Sequence, residues 1–429
     1  MDILIINDMA NLEYITYTPH SISVENQSVV YSKSNNHKIE KVLQIFWSDG
    51  KPWREANLWA IERLSSKDYT LKTINSNMNG LLNYAKFLEE ENVFWFSFPT
   101  KKADRCLFQY RGWLIGKRDS KELSPATASE YMRNVVSFYR WLVGKGILVS
   151  QTPLWTDKTL YLKFFNPVGF ERTFSVLSSE LSIKNRKVHG DVLEDGLLPV
   201  SAEDRDSILA YAKDNSTPEL YRMLAIGFFT GMRIGSICDL KVETLKNAVK
   251  DPSATGLYRL NIGPGASPPV NTKFSITGQV WIPEALLENL LEYATSVRRS
   301  KRQSIAKLED KGLLFLTVRG NPYCQRETEQ STAINTEMSN FRKIGFKNGL
   351  SIVKNFKFHQ TRATFATELA KITLKSGDPL NAIAIVKDAL LHKNEETSFK
   401  YIKFVQSSPM KQQAADEFMK AFLGVENVI

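Results

Sequence analysis

The N-terminal part of the chain alternates apolar and polar side chains with a period of two. This alternation runs through SISVENQSVVYSK (residues 21–33), and LEYITYTPH (residues 12–20) is rich in residues that favour strands. The turn-like SDGKPW follows at residues 48–53. The pattern predicts a β-rich N-terminal extension over residues 1–53.

After this extension the apolar residues recur every three or four positions, which is typical of amphipathic helices. In SPATASEYMRNVVSFYRWLVGKG, Ser124 is a natural N-cap and Pro125 occupies the first helical position. Val135 and Leu142 belong to one apolar stripe of the same helix. Together with similar runs upstream, the pattern predicts a compact helical domain over residues 54–152.

The remainder of the chain is predicted as a connector and a second, mainly helical domain. Residues 153–197 mix strand-like runs with a basic patch and are too long for an unstructured loop, so we expect an ordered connector. Helical spacing returns over residues 198–429, interrupted by a hairpin-like pattern at residues 257–283. SSPMKQQAADEFMKAFLG predicts a short amphipathic helix after Pro409. The predicted fold class is mainly α, with a small β-sheet or hairpin in the C-terminal domain.

The charge of the chain adds a polyanionic partner to this picture. Lys and Arg number 56 against 46 Asp and Glu, which gives a formal charge of +10. Nucleic acid is favoured over membrane, because no basic amphipathic anchor stands out and no apolar run approaches the roughly 20 residues of a membrane span. A basic protein that binds no anion is the alternative on charge alone.

Cysteine and histidine positions bear on metals and on the cellular compartment. The three cysteines are far apart and form no CxxC pair, and the five histidines are scattered. MDILIIND has no basic leader ahead of its short apolar run. We therefore expect an intracellular protein that uses no metal.

The first candidate motif is FFTGMRIGSICDLK. A helix ending at Thr230 with Gly231 as its C-cap would leave Arg233 at the start of the next helix. Backbone N–H groups and the helix dipole favour an anion at such a position. A solvated arginine of no special role is the alternative reading of this stretch alone.

The second candidate motif is FKFHQTRATFATELAK. His359 and Arg362 are three residues apart and would share one face of a helix near its first turn. Phe365, Leu369 and Ile372 are predicted to form the buried stripe of that helix. The histidine and arginine could clamp a phosphate, although an HxxR pair alone is weak evidence.

The third candidate motif, HKNEETSFKY, has His392 and Tyr401 at its two ends. Nine residues are about two and a half helical turns, so a straight helix cannot bring the two side chains together, and KNEET is a predicted break between helices. Such a tyrosine could be a core filler, a stacking platform or a nucleophile. As a nucleophile it would need a cationic site and a proton acceptor, because its hydroxyl is almost entirely protonated at neutral pH.

Taken in order, these motifs resemble those of the tyrosine recombinase (phage integrase) family. TGMRIGSICDLK is similar to the first-arginine motif, FHQTRATFATELA to the HxxR motif, and LLHKNEETSFKYIKF to the LGH…Y motif with the tyrosine at the usual offset. The helical region at 54–152 is similar to the core-binding domain of the family. The resemblance covers residues 54–429 and is weak over 153–197. The matching site residues are Arg233, Lys273, His359, Arg362, His392 and Tyr401.

The resemblance implies a DNA recombinase or integrase that cuts and rejoins strands through a 3′-phosphotyrosyl intermediate on Tyr401. It implies that the two arginines clamp the phosphate and that Lys273 protonates the leaving 5′ oxygen. It further implies that His359 assists proton transfer at the tyrosine and that His392 hydrogen-bonds a phosphate oxygen. A helical core-binding domain would precede a mixed α/β catalytic domain over residues 198–429. No metal or nucleotide is required.

The same resemblance implies double-stranded DNA as the partner and a tetramer that joins two duplexes. The segment Met410–Leu423 would dock on a neighbouring subunit, the alternative being a helix folded back on its own domain. Residues 1–53 would be an accessory DNA-binding or assembly module. The expected location is the nucleoid within the cytoplasm.

Several positions depart from the family pattern. Ser236 stands where the family usually has an acidic residue, Gln360 where it often has Asp, and Leu391 where it has the turn glycine. Lys273, in NTKFSITGQVWIP, best matches the family lysine on a hairpin, with Lys241 and Lys250 as alternatives.

Two other classes of function stay open at this point. A type IB topoisomerase or a transposase would use the same chemistry. A non-catalytic DNA-binding protein could be built on the same fold.

Overall fold

The computed structural model describes residues 9–25, 28–33, 38–66, 68–165, 171–184, 193, 196–324, 332–377 and 379–422. The chain divides into two compact units, Met1–His189 and Gly190–Ile429. Helices predominate and the sheets are small and antiparallel, which confirms the predicted fold class. Across the part of the chain that the structure describes, no helix combines the length and apolar character needed to cross a membrane.

The first unit begins with strands in the segment where alternation predicted them. Two two-stranded antiparallel sheets form, β1 with β4 and β2 with β3. The strands are β1 (Asn11–Tyr17), β2 (His20–Glu25), β3 (Ser28–Lys33) and β4 (Ile39–Phe46). Residues 1–8 of the predicted extension lie outside the described residues.

Helices contribute more residues than strands to the described part of the first unit. They are α1 (Arg54–Ser66), α2 (Leu71–Glu90), α3 (Cys106–Asp119) and α4 (Pro125–Gly144). The predicted cap of α4 is present, since the Ser124 side chain accepts a hydrogen bond from the Thr127 N–H and Pro125 begins the helix. An antiparallel hairpin follows, with strands β5 (Asp157–Phe165) and β6 (Glu171–Ser179).

The second unit surrounds a three-stranded antiparallel sheet of order β7-β8-β9 with helices. Its strands are β7 (Val249–Lys250), β8 (Leu257–Ile262) and β9 (Gly278–Pro283), the last two forming the predicted hairpin. Ahead of the sheet lie α5 (Ala202–Asn215), α6 (Pro218–Thr230), α7 (Ile234–Cys238) and α8 (Val242–Lys246). After it lie α9 (Glu284–Thr295), α10 (Val297–Ile305), α11 (Thr332–Lys347), α12 (Gln360–Ser376), α13 (Pro379–Leu390) and α14 (Glu395–Phe422).

The predicted buried stripe of α12 is wrong in part. Ile372 is 63% exposed, and Phe365 and Leu369 are only partly buried. The buried face consists instead of small side chains, namely Ala363, Ala366 and Ala370. Alanines let neighbouring helices approach closely, so the largest apolar residues need not mark the packed face of a helix.

The C-terminal helix also differs from its prediction. Instead of a short helix after Pro409, α14 runs continuously from Glu395 to Phe422 with the proline inside it. The fixed φ of proline is compatible with a helix, so α14 continues with one backbone hydrogen bond missing. Leu423, the end of the predicted docking segment, lies outside the described residues, as do the side chains from Met410 onward.

The crossing of α6 and α12 leaves no room for a side chain at Gly227. A Cβ at this glycine would lie 2.3 Å from Oγ1 and 3.0 Å from Cβ of Thr361. Thr361 is completely buried and precedes Arg362, so the close crossing also sets the position of that arginine. The crossing therefore contributes both to stability and to the geometry of the site.

Gly227→Ala should lower the free energy of unfolding of the second unit by about 1–3 kcal/mol, because the new methyl group overpacks the crossing. Gly235→Ala is the matched control: a Cβ on this helical glycine of the same unit would meet nothing within 4 Å, so the change should be neutral or stabilising. Denaturant unfolding followed by circular dichroism compares the two. Equal stability of both variants would contradict the tight crossing.

Candidate active site

Arg233 stands on a turn that packs closely against two other helices. Gly231 follows the end of α6 with φ +66°, a left-handed conformation that favours glycine. A Cβ there would lie 2.4 Å from Cδ1 of Phe365 and 2.6 Å from Cδ2 of Leu390. The absence of a side chain thus brings the turn against α12 and α13, and Arg233 caps the start of α7.

Arg362 lies in the first turn of α12 and is 2% exposed. Its Nη1 donates a hydrogen bond to the Gly231 carbonyl at 2.6 Å, and its Nη2 donates one to the Leu390 carbonyl at 2.9 Å. These two bonds fix the plane of the guanidinium. They also join the end of α6 to the end of α13.

Three of the predicted site residues line one pocket. They are Arg233, Lys273 and Arg362, from α7, the β8–β9 hairpin and α12. None of the described lining residues is acidic. Three cationic side chains without a lining carboxylate make this pocket suited to an anion.

The three candidate lysines differ in their surroundings. Lys273, in the turn that joins β8 to β9, lines the pocket. Lys241 instead forms an ion pair with Asp239 at 2.7 Å and donates a hydrogen bond to the Pro269 carbonyl at 2.6 Å. Lys250 is exposed on β7, with its Nζ 5.8 Å from the ring centroid of Tyr258. Neither of these two is among the residues that line the pocket.

Ser236, the residue in place of the usual acid, ties α7 to the loop ahead of Lys273. Its Oγ donates a hydrogen bond to the Asn271 carbonyl at 2.8 Å. The Asn271 N–H in turn donates to Asp239 Oδ2 at 2.7 Å. The backbone carbonyl and N–H of Asn271 are therefore both hydrogen-bonded, the first to Ser236 of α7 and the second to Asp239, which directly follows α7.

His392 lies in the short loop between α13 and α14. A break between helices is present there, but of the predicted KNEET only Lys393 and Asn394 belong to it, because α14 already begins at Glu395. The backbone N–H of His392 donates a hydrogen bond to the Lys387 carbonyl at 3.0 Å, and its imidazole Nδ1 is 2.8 Å from the Ser398 hydroxyl. The imidazole is stacked on the Tyr401 ring, with centroids 6.1 Å apart and planes at 9°. Leu391, in the position of the family glycine, adopts φ +51° in this loop.

Tyr401 faces the core of the second unit. Its side chain is completely buried in an apolar cluster that includes Ala363, Ala366 and Ile402. His392 is buried beside it, while neighbouring Leu390 and Leu391 line the pocket.

His359 lies one helical turn before Arg362. It is partly exposed at the N-cap of α12 and does not line the pocket. The structure therefore brings together a cationic pocket and an adjacent buried histidine–tyrosine pair, with His359 one helical turn from Arg362.

Some contacts of the site were not anticipated from the sequence. Ser398 was given no role, although its spacing of three residues from Tyr401 places both on one face of a helix. Phe274 and Lys393 were also passed over. Lys393 directly follows His392 and Phe274 directly follows Lys273, so proximity to a motif was the available signal.

Comparisons with known proteins concern the fold. No protein-family model matches the sequence, and no curated protein matches it. Among solved structures, a tyrosine-to-phenylalanine variant of the Tn1549 transposon integrase, in complex with transposon right end DNA, has a TM-score of 0.50 and 14% identity. The alignment covers 84% of this chain and 99% of that chain.

An arginine-to-lysine variant of the same integrase, in complex with a circular intermediate DNA, has a TM-score of 0.50 and 15% identity. It covers 81% of this chain and 94% of that chain. A lambda integrase dimer bound to a COC′ core site has a TM-score of 0.46 and 13% identity over 81% of this chain and 94% of that chain. The alignment with the Tn1549 integrase confirms the fold that the resemblance to the tyrosine recombinases predicted: this chain has the integrase fold.

Proposed function

We propose that the chain is a site-specific DNA recombinase or integrase that cuts and rejoins strands through a 3′-phosphotyrosyl bond to Tyr401. The observation that carries the proposal is the pocket lined by Arg233, Lys273 and Arg362, next to the loop that leads to the tyrosine. The similar Tn1549 integrase structure is a complex with transposon right end DNA, which supports DNA as the substrate.

The two arginines would bind the scissile phosphate and stabilise its transition state. Attack adds negative charge to the non-bridging oxygens, and a guanidinium can give two parallel hydrogen bonds to such oxygens. Arg362 is nearly fully buried, so its attraction to an anion is screened less than that of a surface arginine. Its bonds to two carbonyls orient it before the substrate arrives.

Lys273 would act as the general acid. Breaking the P–O bond leaves negative charge on the 5′ oxygen, and an ammonium can donate a proton to it as the charge develops. The exposed hairpin turn allows this side chain to reach over a bound strand. Lysine is better suited to donating a proton than to clamping a phosphate, because its ammonium group is a compact donor on a flexible side chain.

The histidines would complete the proton and hydrogen-bond chemistry. His392 is proposed to hydrogen-bond a phosphate oxygen, with its imidazole oriented by the Ser398 hydroxyl. His359 is proposed to assist proton transfer at the tyrosine. Its position at the start of α12, one turn from Arg362, supports a place near the phosphate.

Tyr401 must leave its buried position before it can attack. Withdrawing a large apolar side chain from a core costs on the order of 2–3 kcal/mol, which binding of DNA would supply. The loop between α13 and α14 is the segment in which the required change of direction can occur. Cleavage would therefore be coupled to DNA binding.

The remaining parts of the chain are proposed to bind DNA and to assemble the complex. The helical domain at residues 54–152 and the catalytic domain at 198–429 would hold the duplex, and the charge of +10 would give salt-dependent affinity. Residues 1–53 would be an accessory module. The active assembly would be a tetramer in which the segment Met410–Leu423 docks on a neighbouring subunit, in the nucleoid of the cell.

Tyr401→Phe should abolish covalent attachment to DNA while DNA affinity stays within about twofold, because only the nucleophilic hydroxyl is lost. A nicked duplex that traps the covalent complex, resolved under denaturing conditions, measures attachment. Tyr221→Phe, the same change on α6, should attach normally. Retained attachment by Tyr401→Phe would move the nucleophile elsewhere, and a wild type that binds without attaching would identify a pure binding protein.

Arg233→Ala and Arg362→Lys should each slow single-turnover cleavage about 100- to 1,000-fold, on the order of 3 kcal/mol by analogy with the loss of an oxyanion donor. Arg205→Ala on α5, which does not line the pocket, should cleave within about twofold of the wild type. Unchanged cleavage by either pocket variant would remove that arginine from the clamp.

Lys273→Ala should cleave an ordinary strand slowly but a strand with a bridging 5′ sulfur at nearly the wild-type rate, because a thiolate leaves without a proton. Lys250→Ala should behave as the wild type on both strands. Equal defects of Lys273→Ala on both substrates would count against its role as general acid.

A further inference from the structure

The hairpin turn next to Lys273 carries an exposed aromatic residue in an unusual conformation. Phe274 has φ +65°, in the left-handed region that bulky residues rarely adopt, and its side chain is 62% exposed. Glycine or asparagine would fit this backbone more easily, and no burial of the ring accounts for phenylalanine here. The contacts of the ring therefore have to explain its presence.

Two ammonium groups from different segments lie against the Phe274 ring. Lys273 Nζ is 5.4 Å and Lys393 Nζ is 5.6 Å from the ring centroid. Both distances are within the roughly 6 Å over which a cation is attracted to an aromatic ring. Lys273 belongs to the hairpin, whereas Lys393 follows His392 in the loop that leads to α14.

A second contact joins the same two segments where the connecting loop enters β9. Gly278, the first residue of β9, lies against Leu391, so closely that a Cβ would be 2.4 Å from Leu391 Cδ2. Leu391 itself has φ +51° and lines the pocket. The hairpin and the loop at residues 391–394 are therefore in contact through Gly278 at the start of β9 and through Phe274 in the connection between β8 and β9.

We propose that Phe274 is a positioning residue, which holds Lys273 at the rim of the pocket and links it through Lys393 to the segment that carries Tyr401. This inference rests on the proposed function, in which Lys273 is the general acid and Tyr401 the nucleophile. Two ammonium groups held near each other repel, and the attraction of each to the electron-rich ring offsets that repulsion.

A neutral ring suits this position better than a carboxylate would. A carboxylate would hold the lysines more strongly, but it would also repel the DNA phosphate and compete with it for Lys273. An ammonium group in contact with a ring keeps its positive charge. The contact is weak, so little free energy is lost when the ammonium moves from the ring to a phosphate or to the leaving oxygen. The general acid is thus kept near the pocket without being neutralised.

Phe274→Leu tests the inference, since leucine removes the ring face and keeps an apolar side chain on the same backbone. Single-turnover cleavage of an ordinary strand at saturating protein should fall about two- to fivefold, the effect expected for one exposed cation–ring contact. Cleavage of the strand with a bridging 5′ sulfur should stay at the wild-type rate. Phe274→Trp keeps an aromatic ring and should cleave the ordinary strand at the wild-type rate. In a Lys273→Ala background, Phe274→Leu should cause no further loss of cleavage.

Phe346→Leu on α11 is the matched control. Phe346 is 48% exposed, and Lys354 Nζ lies 5.0 Å from its ring centroid, so the same substitution removes the same kind of contact away from the pocket. It should cleave both strands as the wild type does. This control separates loss of the Phe274 contact from a general effect of losing a surface ring.

The link to the second lysine is tested by combining variants. Lys393→Met and Phe274→Leu should be coupled, so that the double variant loses less cleavage than the product of the two single losses. Independent, multiplicative losses would show that the ring does not connect the two segments.

The outcomes separate this inference from the proposed function. The inference alone would be overturned if the wild type forms the covalent DNA complex and Phe274→Leu cleaves the ordinary strand at the wild-type rate. It would also be overturned if Phe274→Leu lost equal activity on both strands. A wild type that forms no covalent DNA complex would overturn the proposed function and the inference with it.

Discussion

The buried guanidinium of Arg362 is the group on which the site depends. Its bonds go to the carbonyls of Gly231 and Leu390, which stand at the ends of α6 and α13. Carbonyls at helix ends lack partners within the helix and carry partial negative charge, so they are natural acceptors for a buried cation. One arginine thereby supports the turn that bears Arg233 and the loop that bears His392. Folding and the proposed chemistry use the same residue, and a change at Arg362 cannot affect one alone.

Small residues make this arrangement possible. Gly227 and Gly231 let α12 approach α6 and its terminal turn, and Gly278 lets β9 approach the loop after α13. The alanines of α12 play the same part against the cluster that contains Tyr401. Protein interiors are close-packed, so a methyl group at any of these glycines would push the neighbouring segment away from the pocket. The geometry of the site therefore depends on these small residues as well as on its charged residues.

Much of the fold follows from local chemistry in the sequence. The Ser124–Pro125 cap, the Gly231 turn and the β8–β9 hairpin each depend on a few neighbouring residues, and all three form as predicted. Exposure of Ile372 and burial of Tyr401 depend instead on which helices meet in three dimensions, which no local pattern encodes. The sequence already favoured Lys273 over Lys241 as the site lysine, but the ion pair of Lys241 with Asp239 is a tertiary contact that no local pattern encodes.

The continuity of α14 through Pro409 has a mechanical consequence. A proline inside a helix removes the bond to the carbonyl four residues earlier, here that of Val405, and weakens the helix at that level. Bending at this point needs less free energy than elsewhere along the helix. The turns that hold Tyr401 and the turns beyond the proline can therefore change direction independently of each other.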